Sequence, residues 1–282
     1  MVGAREAREA DVILSLDGRF RAGHGQRTVT AVLDLGHLVE RSGYGVGEWL
    51  AQNWRVASAA RRSDHILAPS KAVAFGLDRY LRTPASRVTV LAPLPRPCFR
   101  RPAREDVAEL RRDLGLPERY FLFVGSRARR KNLGLLAAAW RAAAPSLGPD
   151  VGLVLAGPGS AGVPGARDLG LVRLERLPAL MAGAIAWLNP SLYEGTALGA
   201  QEAMACGTPA IVAGTGAQAH AVGTTGLVLD PHDAHEWAEA LVAMAGHAQL
   251  RARLASSALK AAAELRESPP AWAELRAALL GT

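Results

Sequence analysis

From residue 120 onward the chain alternates short unbroken apolar runs with stretches of helical spacing. YFLFVG (120–125), VGLVLAG (151–157), LGLVRL (169–174), AIAWLN (184–189), PAIVAG (209–214) and GLVLD (226–230) read as strands. KNLGLLAAAWRAA (131–143), LPALMAG (177–183), the stretch within 197–206 and HDAHEWAEALVAMAG (232–246) read as helices between them. A strand that is apolar throughout is buried on both faces, so this alternation predicts a parallel sheet covered by helices on each side. Six such strands make a Rossmann-like domain. The front of the chain repeats the pattern with fewer strands: DVILSLD (11–17), VTAVLDL (29–35), HILAPS (65–70) and RVTVLA (87–92), with helices at 49–63 and 71–81. Between the two lies APLPRPCFRRPARED (92–106), whose Pro93, Pro95, Pro97 and Pro102 break helix and strand alike. The residues after 247 read as two helices. The expected organisation is α/β: an incomplete Rossmann-like domain over 1–95, a linker over 96–106, a complete Rossmann-like domain over 107–247, and C-terminal helices over 248–282.

Composition narrows the function classes. The chain has 282 residues, 49% hydrophobic and 21% charged, enough for a buried core and incompatible with wholesale disorder. No apolar run reaches the roughly 20 residues that cross a bilayer. The start, MVGAREAREAD, has no apolar core, so no secretory signal is expected. Two cysteines, Cys98 and Cys206, make neither a disulfide framework nor a zinc spacing. A cytoplasmic protein is expected. The net charge of +7 is uneven: residues 1–131 hold 24 Lys and Arg against 14 Asp and Glu, whereas the remainder holds 9 against 12. A basic front half suits a phosphorylated ligand or the anionic inner face of a membrane, and equally a compositional bias toward Arg. Aromatics are 5% and no Cys/His finger is present, so no nucleic-acid partner is expected.

Candidate chemistry lies at the carboxyl ends of strands, where open α/β sheets bind ligands. The first turn of the back domain, VGSRARRKN, brings Gly125, Ser126, Arg127, Arg129, Arg130 and Lys131 beside a helix that starts near Asn132. Cations beside helix amides form an anion site. The second turn, NPSLYEGTALGAQEAMACGTP, places Glu194 before a helix and Glu202 about two turns into it. A carboxylate of this kind accepts from both hydroxyls of a diol, and the amides at 196–198 are free to meet a phosphate. No strand is followed by a complete G-x-G-x-x-G; AGPGSAG (156–162) is a loose glycine cluster, which counts against a nicotinamide-dependent oxidoreductase.

Three stretches in register carry a resemblance: YFLFVGSRARRKNL, LPALMAGAIAWLNPSLYEGTALGAQEAMACGTP and GLVLDPHDAHEWAEAL. Together they resemble the nucleotide-sugar-binding half of retaining GT-B-fold glycosyltransferases of the family-4 type, the group 1 glycosyl transferases. The resemblance implies a GT-B-like chain with a truncated N-terminal acceptor domain. It implies a sugar moved from a GDP- or UDP-type donor to an unknown acceptor, without metal or cofactor. Arg130 and Lys131 would hold the donor diphosphate. Glu194, with Lys131 and Arg130 the implied catalytic set, would hold sugar hydroxyls. Gly125 and Ser126 would line the donor loop. Gly195 and the amides of Thr196, Ala197 and Leu198 would meet the sugar and β-phosphate. Glu202 would bind the ribose, and Arg173 and Leu174 would border the base.

The departures from the family's pattern are specific. Where the family usually has Glu-Gly-Phe-Gly-Leu-Pro, this chain has Glu194-Gly195-Thr196-Ala197-Leu198-Gly199. The front stretch TAVLDLGHL resembles an apolar strand followed by His-Asp-Leu, with Leu33 at the histidine and Asp34 retained. Asp34 is thus an acceptor-side candidate. His37, three residues on, reads either as a substitute for the missing histidine or as a capping or surface residue. Two readings stand at this stage: an active transferase, or a non-catalytic donor-binding module that partners a larger complex. The resemblance implies a nucleotide-sugar partner, and it leaves room for a lipid-linked acceptor at a membrane surface and for a protein that completes the acceptor domain.

Overall fold

The structure is a computed structural model, described for residues 10–16, 26–159, 162–268 and 271–281. The opening segment 1–9 and part of the cluster AGPGSAG lie outside the described residues. The elements in order are β1 (Val12–Ser15), β2 (Arg27–Ala31), α1 (Gly36–Val39), α2 (Val46–Arg62), β3 (His65–Ala68), α3 (Lys71–Leu81), β4 (Val88–Val90), α4 (Arg104–Asp113), β5 (Arg119–Val124), α5 (Leu133–Ala143), β6 (Val151–Ala156), β7 (Arg167–Asp168), α6 (Leu177–Ala182), β8 (Ala186–Asn189), α7 (Leu198–Ala205), β9 (Ala210–Ala213), α8 (Gly216–Val222), β10 (Leu227–Leu229), α9 (Ala234–Gly246), α10 (Ala248–Glu267) and α11 (Trp272–Leu280). They form two compact units. The first draws on the described residues within Met1–Pro93, Glu194–Thr196 and Pro269–Thr282, and the second on Leu94–Tyr193 and Ala197–Ser268.

The second unit holds a six-stranded sheet in the order β10-β9-β8-β5-β6-β7, with every pairing parallel. Its central strand shows why the apolar runs are continuous. Phe121 and Phe123 face a core made with α5 and α9, which supply Leu136, Trp140, Trp237 and Leu241. Tyr120 and Leu122 face the opposite core with Leu110 of α4, Leu180 of α6 and Ala203 of α7. Side chains alternate along a strand, so a strand sandwiched between two helical layers has no position left for a polar residue.

The first unit holds a four-stranded parallel sheet in the order β1-β2-β3-β4. Its polar residues are tied locally. Asp64 accepts from both the amide and the hydroxyl of Thr28, at 2.7 and 2.8 Å. The hydroxyls of Thr30 and Ser63 meet at 2.6 Å. The last helix, α11, belongs to this unit: Ala278 packs with Val29 and Leu67, and the Arg27 guanidinium donates to the Ala278 carbonyl. The two tail helices therefore join different units. Pro269 and Pro270 stand between them in the sequence.

Two expectations need correction. The strand expected at 169–174 is absent. The edge strand is instead β7, paired with Val154 and Leu155, after which Gly170 turns the chain with φ +61°. The run LGLVRL is apolar because Leu169 and Val172 cover the second core from a loop. The expected linker over 96–106 ends earlier, since α4 begins at Arg104, two residues past Pro102, where the Asp106 carboxylate accepts from the Ala103 amide. Among the described residues no helix is long and apolar enough to cross a membrane.

Candidate nucleotide-sugar site

In the second unit the first expected turn is built on close backbone approach. The Gly125 amide donates to Ala156, and Gly157, at φ +125°, leaves no space for a Cβ against the Gly125 carbonyl. The ends of β5 and β6 thus come together only because position 157 is glycine. Lys131 returns to this point: its Cε would be 3.7 Å from a Cβ on Gly125. Ser126 is half-buried in the same turn. Asn132 follows in the left-handed region, φ 55°, and its side-chain amide donates to the Pro231 carbonyl at 2.8 Å. That bond anchors the loop to the β10–α9 connection.

Not every cation in the loop faces outward. The Arg127 side chain is 2% exposed, lies over the Phe123 ring and bonds Asp168 at 2.9 Å. It is a structural tie between β5 and β7. Arg130 is the residue that joins the two expected turns. Its carbonyl accepts from the Leu192 amide at 2.9 Å, and its guanidinium donates to the Tyr193 carbonyl at 3.4 Å. Arg130 is therefore held directly beside the segment that leads into Glu194.

That segment rests on a buried polar network that the sequence did not reveal. The Asn189 side chain donates to Gln218 at 2.7 Å and accepts from Ser191 at 2.5 Å. Thr215 and Gln218 both donate to the Ser191 carbonyl. Asn189, Ser191 and Gln218 are buried, so each hydrogen bond here also avoids the cost of an unsatisfied polar group. Helix α7 begins beyond it. No side chain caps its first amides, and Ala197 stands at φ −105°, which alanine adopts without strain. The alanine at the family's glycine position therefore imposes no backbone strain.

Glu202, in the second turn of α7, is nearly fully buried, and it is already engaged. Arg96 donates to both of its oxygens, Nε to Oε1 at 2.7 Å and Nη2 to Oε2 at 3.2 Å. The same guanidinium lies 4.8 Å over the Phe99 ring, and the Glu202 hydrogen bond raises its pKa. Arg96 lies in the proline-rich segment and carries no motif of its own. Arg173 is exposed and pairs with Glu175 at 3.4 Å, and Leu174 is exposed beside it.

Glu194, Gly195 and Thr196 group with the first unit, where Asp34 and His37 also lie. Asp34 Oδ2 accepts from the Gly195 amide at 3.1 Å, and Oδ1 accepts from Gly36 at 2.5 Å. Asp34 is thus a backbone anchor. Leu33 exposes its side chain. His37 is neither surface nor cap: it is 3% exposed, it packs edge-on against Tyr44, and its Nε2 has no hydrogen-bond partner among the described residues. Burial, with a smaller contribution from Arg55 and against the pull of Asp34, holds its pKa below 6.5.

His65 is shifted the same way, by burial first and then by Arg27 and Arg87. Both histidines take up a proton less readily in the fold than in the unfolded chain, where they titrate near pH 6.5. Their contribution to stability is full above that pH and is lost as pH falls. The Asp64 carboxyl, lowered chiefly by the Thr28 amide, titrates only below 3.8 and leaves this window alone. The urea midpoint is expected to fall between pH 7.5 and 5.5, with a shallower slope in His37→Gln. A flat midpoint over that range in the unaltered protein contradicts it.

Comparison with known proteins agrees with this architecture. Residues 118–247 match the family model described as glycosyl transferases group 1. A D-inositol 3-phosphate glycosyltransferase of Salinispora arenicola is 35% identical over 225 residues, covering 70% of this chain and 50% of that protein. Among solved structures, WaaG, a glycosyltransferase involved in lipopolysaccharide biosynthesis, is similar at a TM-score of 0.77 and 18% identity, covering 97% of this chain and 79% of that one. Anabaena HepE in complex with UDP and glucose is similar at a TM-score of 0.76 and 20% identity, covering 92% and 75%. This chain spans about half the length of the inositol-phosphate glycosyltransferases it matches. Residues 118–247 thus match the group 1 glycosyl transferases, and the parallel α/β units of the chain are of GT-B-like type.

Proposed function

We propose that this chain transfers a sugar from a nucleotide-sugar donor of the GDP or UDP type to an acceptor, with retention at the anomeric carbon and without a metal ion. The observation that carries this reading is Arg130, which bridges the turn after β5 to the turn after β8 and holds a guanidinium beside Tyr193. Lys131 adds a second cation at the end of β5, and the first amides of α7 carry no side-chain cap. Cations and helix amides at strand ends fit a diphosphate. Similar proteins are named as glycosyltransferases, and HepE was solved with UDP, which supports a donor of this class.

In the proposed reaction the bond from the anomeric carbon to the diphosphate oxygen breaks, and the acceptor hydroxyl oxygen bonds to that carbon on the same face. The acceptor proton passes to the departing diphosphate. Negative charge builds on the diphosphate as it leaves, so the fixed cations of Arg130 and Lys131 stabilise the transition state more than the bound donor. Those cations stand where a metal would otherwise neutralise charge. Glu194 holds hydroxyls of the transferred sugar, and Glu202 the ribose.

The test is a panel of UDP-, GDP- and ADP-sugars and their diphosphates in thermal unfolding. A ligand at 100 times its Kd stabilises by about 2.7 kcal/mol. One base is expected to raise the melting temperature, and slow release of that nucleoside diphosphate is expected from its sugar. No shift with any member removes the donor site. A shift without release favours the donor-binding module instead.

A further inference from the structure

A cavity of about 390 Å³ lies wholly within the second unit, at the edge of its sheet opposite to the turns that follow β5 and β8. Arg119 opens β5, Ile185 directly precedes β8 and Pro209 directly precedes β9, so the cavity sits at the amino ends of three adjacent parallel strands. One face of α10 completes it, with Ala248, Arg251, Ala252 and Ala255. Positions spaced i, i+3, i+4 and i+7 share a helix face. The alanines leave the room, and Arg251 carries the charge of that face.

Two guanidiniums meet there. Arg251 Nη1 donates to the Met244 and Ala245 carbonyls at 2.7 and 2.9 Å, and Arg119 Nη2 donates to the same Ala245 oxygen. Two nitrogens bonded to one oxygen stand within about 6 Å of each other. The carbonyls belong to the last turn of α9, where orphan acceptors need donors. Arg251 alone reaches both, so a second cation exceeds that task.

The charges are unequally balanced. Arg119 Nη1 pairs with Asp150 at 3.2 Å. Arg251 has no carboxylate partner among the described residues, and its Nε and Nη2 have no hydrogen-bond partner there either. Burial, and then the Arg119 cation, hold its pKa below the usual arginine value. Glu118 also lines the cavity but is exposed. The Nε–Nη2 edge of a guanidinium is the fork that grips an oxyanion with two parallel bonds.

We propose that this cavity binds a phosphate dianion, free or as the monoester of a small molecule, through Arg251 with Arg119 beside it. A dianion answers two adjacent cations. A volume of about 390 Å³ is in the range of small-molecule sites, and Ile185, Pro209 and Ala255 offer apolar surface to the organic part of a monoester. The site is independent of the donor reading, because Arg130 and Lys131 follow the carboxyl end of β5.

The test titrates the full chain with inorganic phosphate, glycerol 3-phosphate and glycerol, at an ionic strength held constant with chloride. Melting temperature and heat of binding are read in the unaltered protein, Arg251→Gln, Ala252→Glu and Lys131→Ala. Glutamine keeps a donor for the end of α9 but no charge. Ala252 is exposed, and glutamate is close to alanine as a helix former, so Ala252→Glu sets a carboxylate at the cavity while both arginines remain.

Saturable stabilisation by phosphate is expected in the unaltered protein and in Lys131→Ala, with none from glycerol. Binding at least about tenfold weaker is expected in Arg251→Gln and Ala252→Glu. Tighter binding of glycerol 3-phosphate than of phosphate identifies a monoester as the occupant, and binding no tighter identifies the free ion. No saturable response overturns the proposal, and so does a response that both cavity variants retain. A response lost in Lys131→Ala alone assigns the phosphate to the turn after β5 and overturns it equally. Should Arg251→Gln not fold, Ala252→Glu carries the same test. Stabilisation by UDP or GDP, which reads the donor site, should be unchanged in Ala252→Glu.

Discussion

Lys131→Ala is expected to slow release of nucleoside diphosphate from the donor sugar by a factor of about 100 to 1,000, the range for losing one preorganised transition-state contact. The Lys131 stem runs beside Gly125 at the end of β5, and the close approach of Gly125 to Gly157 fixes that point. A cation so placed acts most strongly when the diphosphate carries its full leaving-group charge. The expected signature is therefore a loss in kcat larger than the rise in KM. Lys131→Arg keeps the charge on a longer, forked group and should retain part of the rate. Glu194→Ala should also stop turnover, but it should leave diphosphate affinity nearly intact, because its implied partners are sugar hydroxyls. A Lys131→Ala protein with unchanged kcat would show that the cation binds donor and transition state alike, or neither.

The layered architecture was readable because the parallel sheet leaves a direct mark. YFLFVG and VGLVLAG are apolar throughout and AIAWLN at all but its last position, and the two-sided burial of Tyr120 to Phe123 is the physical cause. The edge was harder. LGLVRL looks like a strand by composition, but its apolar residues cover the core from a loop that turns at Gly170. Helix α4 escaped notice because REDVAELRRD is mostly charged and only Leu110 of it is buried.

The candidate site divides in the same way. Arg130, Lys131 and Glu202 stand out by residue type and spacing. What holds them does not, because the holding is done by backbone atoms and by residues distant in sequence. Leu192 bonds to Arg130 through main-chain atoms, and Gln218 supports Ser191 from α8. His37 illustrates the limit from the other side. Its residue type suggested chemistry or a surface role, whereas its surroundings are a buried pocket beside Tyr44.

Arg96 has no counterpart in any motif, yet its removal is expected to cost more stability than any other single change near the site. Its side chain is 45% exposed and that of Glu202 is 5% exposed. The two partners are therefore not equivalent. Arg96→Ala strands a carboxylate in the interior with no counter-charge, and breaking a buried pair from that side costs about 3 kcal/mol. Glu202→Gln leaves a guanidinium that can turn toward water, so its cost should be about 1 kcal/mol. The double variant Arg96→Ala/Glu202→Gln should then be more stable than Arg96→Ala alone, because the stranded charge is gone.

The ligand response should run in the opposite order. Arg96 spans both oxygens of Glu202 and takes one acceptor site on each, leaving a second site on each for a ribose diol. Glu202→Gln should therefore lose most of the preference for a nucleoside diphosphate over its 2′-deoxy form, although it is the milder change for folding. Urea midpoints for the three variants and paired titrations with ribo- and deoxyribonucleotides measure both. Equal destabilisation by Arg96→Ala and Glu202→Gln would mean that the pair behaves as a surface ion pair. An unchanged ribose preference in Glu202→Gln would remove Glu202 from the nucleotide site and leave the Arg96 bridge as its whole role.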